Sequence, residues 1–162
     1  MRGLLVNLRC ARLIVGVISL AGCATSDLDG SDPANMAPTV EAFLGQYLSA
    51  LERHDEAAVR AAYVSDGRFS WIEDGRVRYR SVDEVLAGLR AIPRGARIRT
   101  ELTGLTIVPL GSNGAHAWAS FRTTIGSPPS GFAFAGALSF VLERNGQTWA
   151  IVGGHSSSEA RR

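Results

Sequence analysis

Apolar side chains recur at helical spacing over residues 40–53. They lie on one face of a helix, which predicts an amphipathic helix over residues 40–53 with Thr39 as its N-cap and Glu41 in its first turn. The positions are Val40, Phe43, Leu44, Tyr47, Leu48 and Leu51.

Two shorter helices follow. Asp55 precedes an apolar face that ends at Tyr63, so it can cap a second helix. Ser81 and Glu84 have the spacing of a capping box and begin a third helix, which Pro93 ends.

The remaining segments have the pattern of strands. Arg68 to Ile72 and Arg76 to Arg80 flank a short turn and predict a hairpin. Four long runs rich in β-branched and aromatic residues, separated by turn residues, predict an antiparallel meander; they span residues 97–109, 115–125, 132–143 and 148–156. Helices first and a meander last predict an α+β fold, in which a cone-shaped, curved antiparallel sheet wraps over three N-terminal helices and leaves a pocket at its open end.

Alternation does not decide which face of the later strands points inward. In residues 132–143 both faces are apolar, because large side chains such as Phe134 and Phe140 alternate with alanines. This pattern predicts that one face lines the core while a second subunit covers the other, giving a homodimer. A membrane-proximal or partner-binding surface is the alternative.

The first residues form a leader. Arg12 ends a basic segment, and an apolar run follows that is much shorter than the roughly 20 residues needed to span a bilayer. The sequence Leu-Ala-Gly-Cys then ends at Cys23 and resembles a bacterial lipobox. The resemblance implies acylation of Cys23 and a periplasm-facing anchor in the cell envelope; Ala24 favours the outer membrane over the inner one. An ordinary signal peptide with an incidental cysteine is the alternative.

These features divide the chain into four parts. Residues 1–22 are predicted to be the signal peptide, and residues 23–37, small and acidic, a flexible tether. Residues 38–158 form the predicted domain, and residues 159–162 a tail.

Charge and composition exclude several functions. The chain has 162 residues with 17 basic and 15 acidic side chains. Three of the basic residues lie in the leader, so the rest is nearly neutral and we expect no nucleic-acid partner. The three histidines, His54, His116 and His155, lack metal-ligand spacing, so we expect neither a metal nor a cofactor.

Three segments carry a family resemblance: Tyr63 to Phe69, Tyr79 to Leu86, and Trp149 to Ser156. Their order and spacing resemble the nuclear transport factor 2-like superfamily, in its SnoaL-like branch, over about residues 38 to 158. The resemblance implies the cone-shaped fold. It does not imply one function, because this fold hosts enzymes of several kinds and members without catalysis.

The resemblance also suggests site residues. Tyr47 stands where ketosteroid isomerases have an oxyanion-binding tyrosine, but Trp71 stands where their catalytic carboxylate belongs, which excludes that isomerisation. A core tyrosine with a paired hydroxyl is the alternative for Tyr47. His155 and Arg122 match pocket residues of related domains, whereas Ser139 replaces a second arginine. His155 would then be a base or an anion ligand, or would only bond the neighbouring strand.

We therefore expect a binding domain rather than an enzyme, holding a small apolar or weakly anionic molecule. Arg122 and His155 would be its polar anchors. One alternative is a dehydratase, cyclase or hydrolase with His155 as base and Tyr47 or Arg122 as oxyanion donor. Another is a structural envelope protein without a ligand. The predicted lining consists of Tyr47, Tyr63, Phe69, Trp71, Trp118, Arg122 and His155.

Overall fold

The structure is a computed structural model that describes residues 33–93, 95–126 and 131–159. The predicted signal peptide, Cys23 and residues 24–32 of the predicted tether lie outside the described residues. The predicted α+β order is confirmed. The helices are α1 (Pro33–Glu52), α2 (Glu56–Ala61) and α3 (Val82–Ala91). The strands are β1 (Ser70–Glu73), β2 (Arg76–Tyr79), β3 (Ile98–Pro109), β4 (Gly114–Ile125), β5 (Phe132–Asn145) and β6 (Thr148–Ser158).

The six strands form one curved, unclosed sheet in the order β2-β1-β6-β5-β4-β3. The hairpin and the meander are antiparallel, as predicted. The sheet, predicted to be antiparallel, contains one parallel pair where the hairpin joins the meander: β1 runs beside β6 from Ser70 opposite Gly153 to Glu73 opposite Ser156. The helix α3 carries the chain from the hairpin to the far edge of the sheet, and the meander returns to β1 with its last strand.

The first helix begins seven residues earlier than predicted. Residues 33–37, predicted to belong to the tether, are helical, and Met36 is fully buried. Thr39 is therefore not an N-cap; its hydroxyl donates to the carbonyl of Met36 and accepts from the indole N–H of Trp149. Burial of Met36 favours the longer helix. None of the helices in the described ranges is long and apolar enough to cross a membrane.

The local signals at the other helices and at the hairpin are confirmed. Asp55 accepts a bond from the amide of Ala58 at 3.0 Å. The Ser81 hydroxyl accepts from the amide of Glu84. The Glu84 carboxylate accepts from the amide of Arg80, whereas in a standard capping box it would accept from the amide of the N-cap residue itself. The hairpin turn has positive φ angles at both central residues, as a type I′ turn requires.

The hydrophobic core lies between the helices and the inner face of the sheet. Its most deeply buried large side chains come from α1, α2, α3, β5 and β6, so helices and meander form one packed unit. They are Met36, Val40, Leu44, Val59, Leu86, Phe140, Leu142 and Ile151.

Candidate functional site

The inner face of β4 carries mostly alanines, which lets the helices pack close to the sheet. Phe121 and Thr123 continue this buried face, whereas the alternate residues point away from the helices. Trp118, 40% exposed, and Arg122 therefore lie on the outer face of the sheet. The prediction that these two residues line the pocket is wrong.

A β-bulge in β6 decides the position of His155. Leu142 pairs with Ile151 but Val141 pairs with Gly153, so Val152 is an extra residue in β6. One extra residue moves every later side chain to the opposite face. His155 consequently lies on the outer face, opposite Ser139, and is exposed. The prediction that it lines the pocket is also wrong.

The same bulge turns Gly154 and Ser156 inward, where they receive Trp71. A Cβ at Gly154 would lie 2.3 Å from the indole ring, so only glycine leaves room for it. The indole N–H donates to the hydroxyl of Ser156 at 3.2 Å, and the ring packs against Phe140. Trp71 is thus fixed at the inner face of the sheet.

Two adjoining cavities of about 240 and 160 Å³ lie between α1, α3 and the sheet. Five residues line both, so the cavities are two lobes of one site: Tyr47, Leu51, Trp71, Thr100 and Thr123. The other lining residues include Tyr63 and Tyr79 in the first lobe and Phe134 and Phe140 in the second. Among the described residues, no side chain that lines this two-lobed cavity carries a charge.

A larger groove of about 610 Å³ runs past the ends of α1 and α3. It is lined by charged side chains of both signs, and Arg90 pairs with Glu56 there at 3.1 Å. His54 lies at the rim of the groove, where its ring nitrogen Nε2 is 3.3 Å from the carbonyl oxygen of Ala96. We place the candidate site in the two-lobed cavity, because it is apolar with a few convergent polar groups.

A pair of tyrosines forms the polar centre of the cavity. The hydroxyl oxygens of Tyr47 and Tyr63 lie 2.6 Å apart, and their rings meet edge to face. Burial raises the pKa of Tyr47 to about 12, partly offset by the hydrogen bond from Tyr63, and burial raises the pKa of Tyr63 well above its usual value. Both are therefore neutral near pH 7 and act as hydrogen-bonding groups rather than bases.

The other polar groups of the cavity are also neutral. The hydroxyls of Thr100 and Thr123 lie 2.8 Å apart, and Ser156 bonds Trp71. Each hydroxyl pair uses one proton internally and leaves one O–H for another acceptor. The described residues contain no group of three or more His, Cys, Asp or Glu side chains that could hold a metal ion.

The structure thus brings together only part of the predicted lining. Tyr47, Tyr63 and Trp71 line the cavity, and their role in binding stays a prediction. Phe69 does not line the two-lobed cavity; it packs edge to face against the ring of Tyr63, with ring centroids 4.7 Å apart, and so helps to fix that ring.

Sequence reasoning missed Tyr79, Thr100 and Thr123. The face of β4 that carries Ala117 and Ala119 continues to Thr123, which was the available signal for that residue. Tyr79 could not be found by alternation, because the register of β1 and β2 shifts beside Trp71.

The outer face of the sheet carries several exposed, large apolar side chains. Cross-strand pairing places Ile72 beside His155, Ser139 beside Trp118 and His116 beside Val141. We define the outer-face patch as its five large, partly exposed apolar residues, which are Ile72, Val77, Val108, Trp118 and Val141.

Comparison with known proteins agrees with this architecture. The SnoaL-like domain family matches residues 40–160. A putative dehydratase of the NTF2-like family from Streptomyces avermitilis is 17% identical and superposes with a TM-score of 0.68, covering 80% of this chain and 99% of that one. An NTF2-like superfamily protein from Salmonella enterica is 16% identical, with a TM-score of 0.67 over 79% and 94% of the two chains.

A third similar structure is a putative calcium/calmodulin-dependent protein kinase II association domain from Xanthomonas campestris. It is 19% identical, with a TM-score of 0.65 over 78% of this chain and 89% of that one. No curated protein matches the sequence. At these identities the structures establish the fold alone, while the family match extends over most of the chain. The chain therefore belongs to the SnoaL-like domain family and has the NTF2-like fold.

Proposed function

We propose that this chain is a lipid-anchored envelope protein whose SnoaL-like domain binds a small, apolar, uncharged molecule. The observation that carries the proposal is the two-lobed cavity, walled by aromatic and aliphatic side chains with only hydroxyl and indole groups as polar contacts. A weakly anionic ligand is less well supported, because Arg122 and His155 lie on the outer face. An uncompensated anion in such a cavity would be costly.

Calorimetric titration with two probes of equal shape tests this proposal. Naphthyl alcohol should bind at least about tenfold more tightly than naphthoate, because only the carboxylate loses its hydration without gaining a cation. Trp71→Ala should weaken alcohol binding by about tenfold. Trp118→Ala, which removes the same side chain from the outer face, is the matched control and should leave binding unchanged. Failure of both probes to bind would favour a structural protein without a ligand.

No observation favours the enzyme alternative. One similar structure bears the name of a putative dehydratase, but dehydration needs a group that moves a proton. The described residues that line the cavity include neither a carboxylate nor an imidazole, and His155 lies on the other side of the sheet. The tyrosine pair can donate a hydrogen bond but cannot serve as a base near neutral pH.

We also propose that Cys23 is acylated and anchors the domain on the periplasmic side of the membrane, with the outer membrane favoured. The lipobox-like sequence carries this proposal, and two or three acyl chains would give stable attachment. Cys23→Ser should abolish labelling by a palmitate analogue and release the protein from the membrane fraction. Cys10→Ser, in the same leader, should change neither. Gradient separation of inner and outer membranes tests the location.

A homodimer formed through the outer-face patch is the remaining part of the proposal. Large exposed apolar patches on soluble domains commonly mark interfaces. Small residues of β5 such as Ala135 and Ala137 lie on the same face. Trp118→Arg should convert the dimer to a monomer without unfolding it, as measured by sedimentation. A wild-type chain that sediments as a monomer would reject the homodimer.

A further inference from the structure

Two of the three histidines of the chain lie within the outer face. His155 is flanked across the strands by Ile72 and Ser139. His116 is flanked by Val108 and Val141, and its ring centroid is 5.0 Å from that of Trp118. Both imidazoles therefore stand among the apolar side chains that a second copy would cover.

We propose that these two histidines make the pairing of two copies depend on pH, so that acidification separates them. The inference rests on the proposed homodimer and adds its regulation. Histidine is the side chain that ordinarily gains a positive charge between pH 8 and pH 5. A neutral imidazole can be covered by apolar surface and serine hydroxyls, whereas an imidazolium needs water or an anion.

Among the described residues, no carboxylate is a cross-strand neighbour of either imidazole, so none lies directly opposite to pair with the positive charge. The cross-strand neighbours of both histidines are apolar residues and Ser139. Glu143, an acidic residue of this face, has its Cα opposite Gly114, two residues before His116, and it is already bonded by Arg68 at 2.8 and 3.2 Å.

The other charged groups of the outer face are farther along the strands. Arg122 on β4 lies opposite Glu101 on β3, and the Arg99 guanidinium bonds the Glu101 carboxylate at 3.1 Å. A twofold interface contributes the same set of groups from the second copy, whose carboxylates at Glu101 and Glu143 are likewise bonded by Arg99 and Arg68. Protonation would thus leave four unpaired positive charges in the interface.

The face is large enough for stable pairing. The six strands have 4, 4, 12, 12, 14 and 11 residues. At about 3.3 Å per residue and about 4.8 Å between strands, they give a face of roughly 900 Å². A standard interface buries about 800 Å² on each partner. A second copy fits this face better than a bilayer does, since two imidazoles and Ser139 at its centre would have to enter hydrocarbon without partners.

Sedimentation equilibrium of the full chain in a density-matched detergent tests the proposal. The dimer dissociation constant should rise at least about 100-fold between about pH 8 and about pH 5.5, because two histidines from each copy contribute. The double variant His116→Gln, His155→Gln keeps neutral polar side chains and should lose most of that change. His54→Gln, on the rim of the distant charged groove, is the matched control and should keep it.

Three outcomes would contradict the pH switch or the homodimer. A wild-type dimer that is equally tight at both pH values overturns the switch and leaves the homodimer standing. A monomer at both values rejects the homodimer itself. If the double variant separates on acidification as the wild type does, the histidines are not the cause and the proposal is wrong.

Discussion

Tyr47 and Tyr63 are the residues on which the cavity and the core both depend. Their hydroxyls are each other's partners, and their rings contact Phe140 and Phe69. A hydroxyl of this pair that lost its partner would stay buried without a hydrogen bond, which costs more than the bond itself is worth. The pair therefore acts as a unit.

Removing one hydroxyl of the pair should lower the free energy of unfolding by more than half of what removing both hydroxyls does. Tyr47→Phe and Tyr63→Phe should each lower the free energy of unfolding by about 1 to 3 kcal/mol. The double variant should cost about 1 kcal/mol less than the two single costs added together, because no orphaned hydroxyl remains. Urea unfolding of the four proteins gives this double-mutant cycle, and strict additivity would contradict the pairing.

The same burial predicts a loss of stability in alkaline solution. Folding raises the pKa of Tyr47 from 10.0 to about 12, so the neutral side chain contributes stability that is complete below pH 10 and disappears as the pH rises to 12. A shift of this size corresponds to about 3 kcal/mol, and Tyr63 acts in the same direction. Unfolding free energies measured across this range should fall less steeply for Tyr47→Phe than for the wild type.

At the scale of elements, the bulge in β6 determines what each face of the sheet presents. It turns His155 outward and Gly154 inward, and Trp71 occupies the space above that glycine. Without the bulge, alternation from Ile151 would put His155 into the cavity. One residue inserted into one strand thus exchanges an imidazole for an indole at the candidate site.

Two glycine substitutions should have opposite effects. Gly154→Ala should lower the free energy of unfolding by about 1 to 3 kcal/mol, because its Cβ would overlap the Trp71 ring at 2.3 Å and the carbonyl of Ser139 at 2.6 Å. Gly45→Ala, on the exposed side of α1 with nothing within 4 Å, should raise it by up to about 1 kcal/mol. Thermal and urea unfolding measure both, and equal shifts would contradict the packing of Trp71.

What the sequence predicts well is local. The caps at Asp55 and Ser81 and the hairpin turn depend on neighbours within four residues, and all three are confirmed. The aromatic residues of β4 do not identify its inner face, because Phe121 and Trp118 lie on opposite faces; the alanines that share a face with Phe121 are the local signal for it. The bulge at Val152 has no local signal, since it depends on the pairing of β6 with β5. The full set of residues that line the site could therefore be identified only from tertiary contacts.

At the scale of the whole molecule, the proposed homodimer makes stability depend on concentration. An assembly that dissociates on unfolding has a midpoint temperature that rises with protein concentration. We expect such a rise for the wild type near pH 8 and none for Trp118→Arg. Calorimetric scans over a 100-fold range of concentration make the comparison, and a constant midpoint for the wild type would argue against the dimer.

The parallel pairing of β1 with β6 has a consequence for folding. Besides the backbone ladder between β1 and β6, three hydrogen bonds join the hairpin to the end of the last strand: Trp71 to Ser156, 85 residues apart, and Asp74 to Ser156 and Ser158. Because these contacts join distant parts of the chain, closure of the sheet is slow and waits for the C-terminal residues. A nascent chain that still lacks β6 cannot complete its core, so the domain closes only after its last strand has been synthesised.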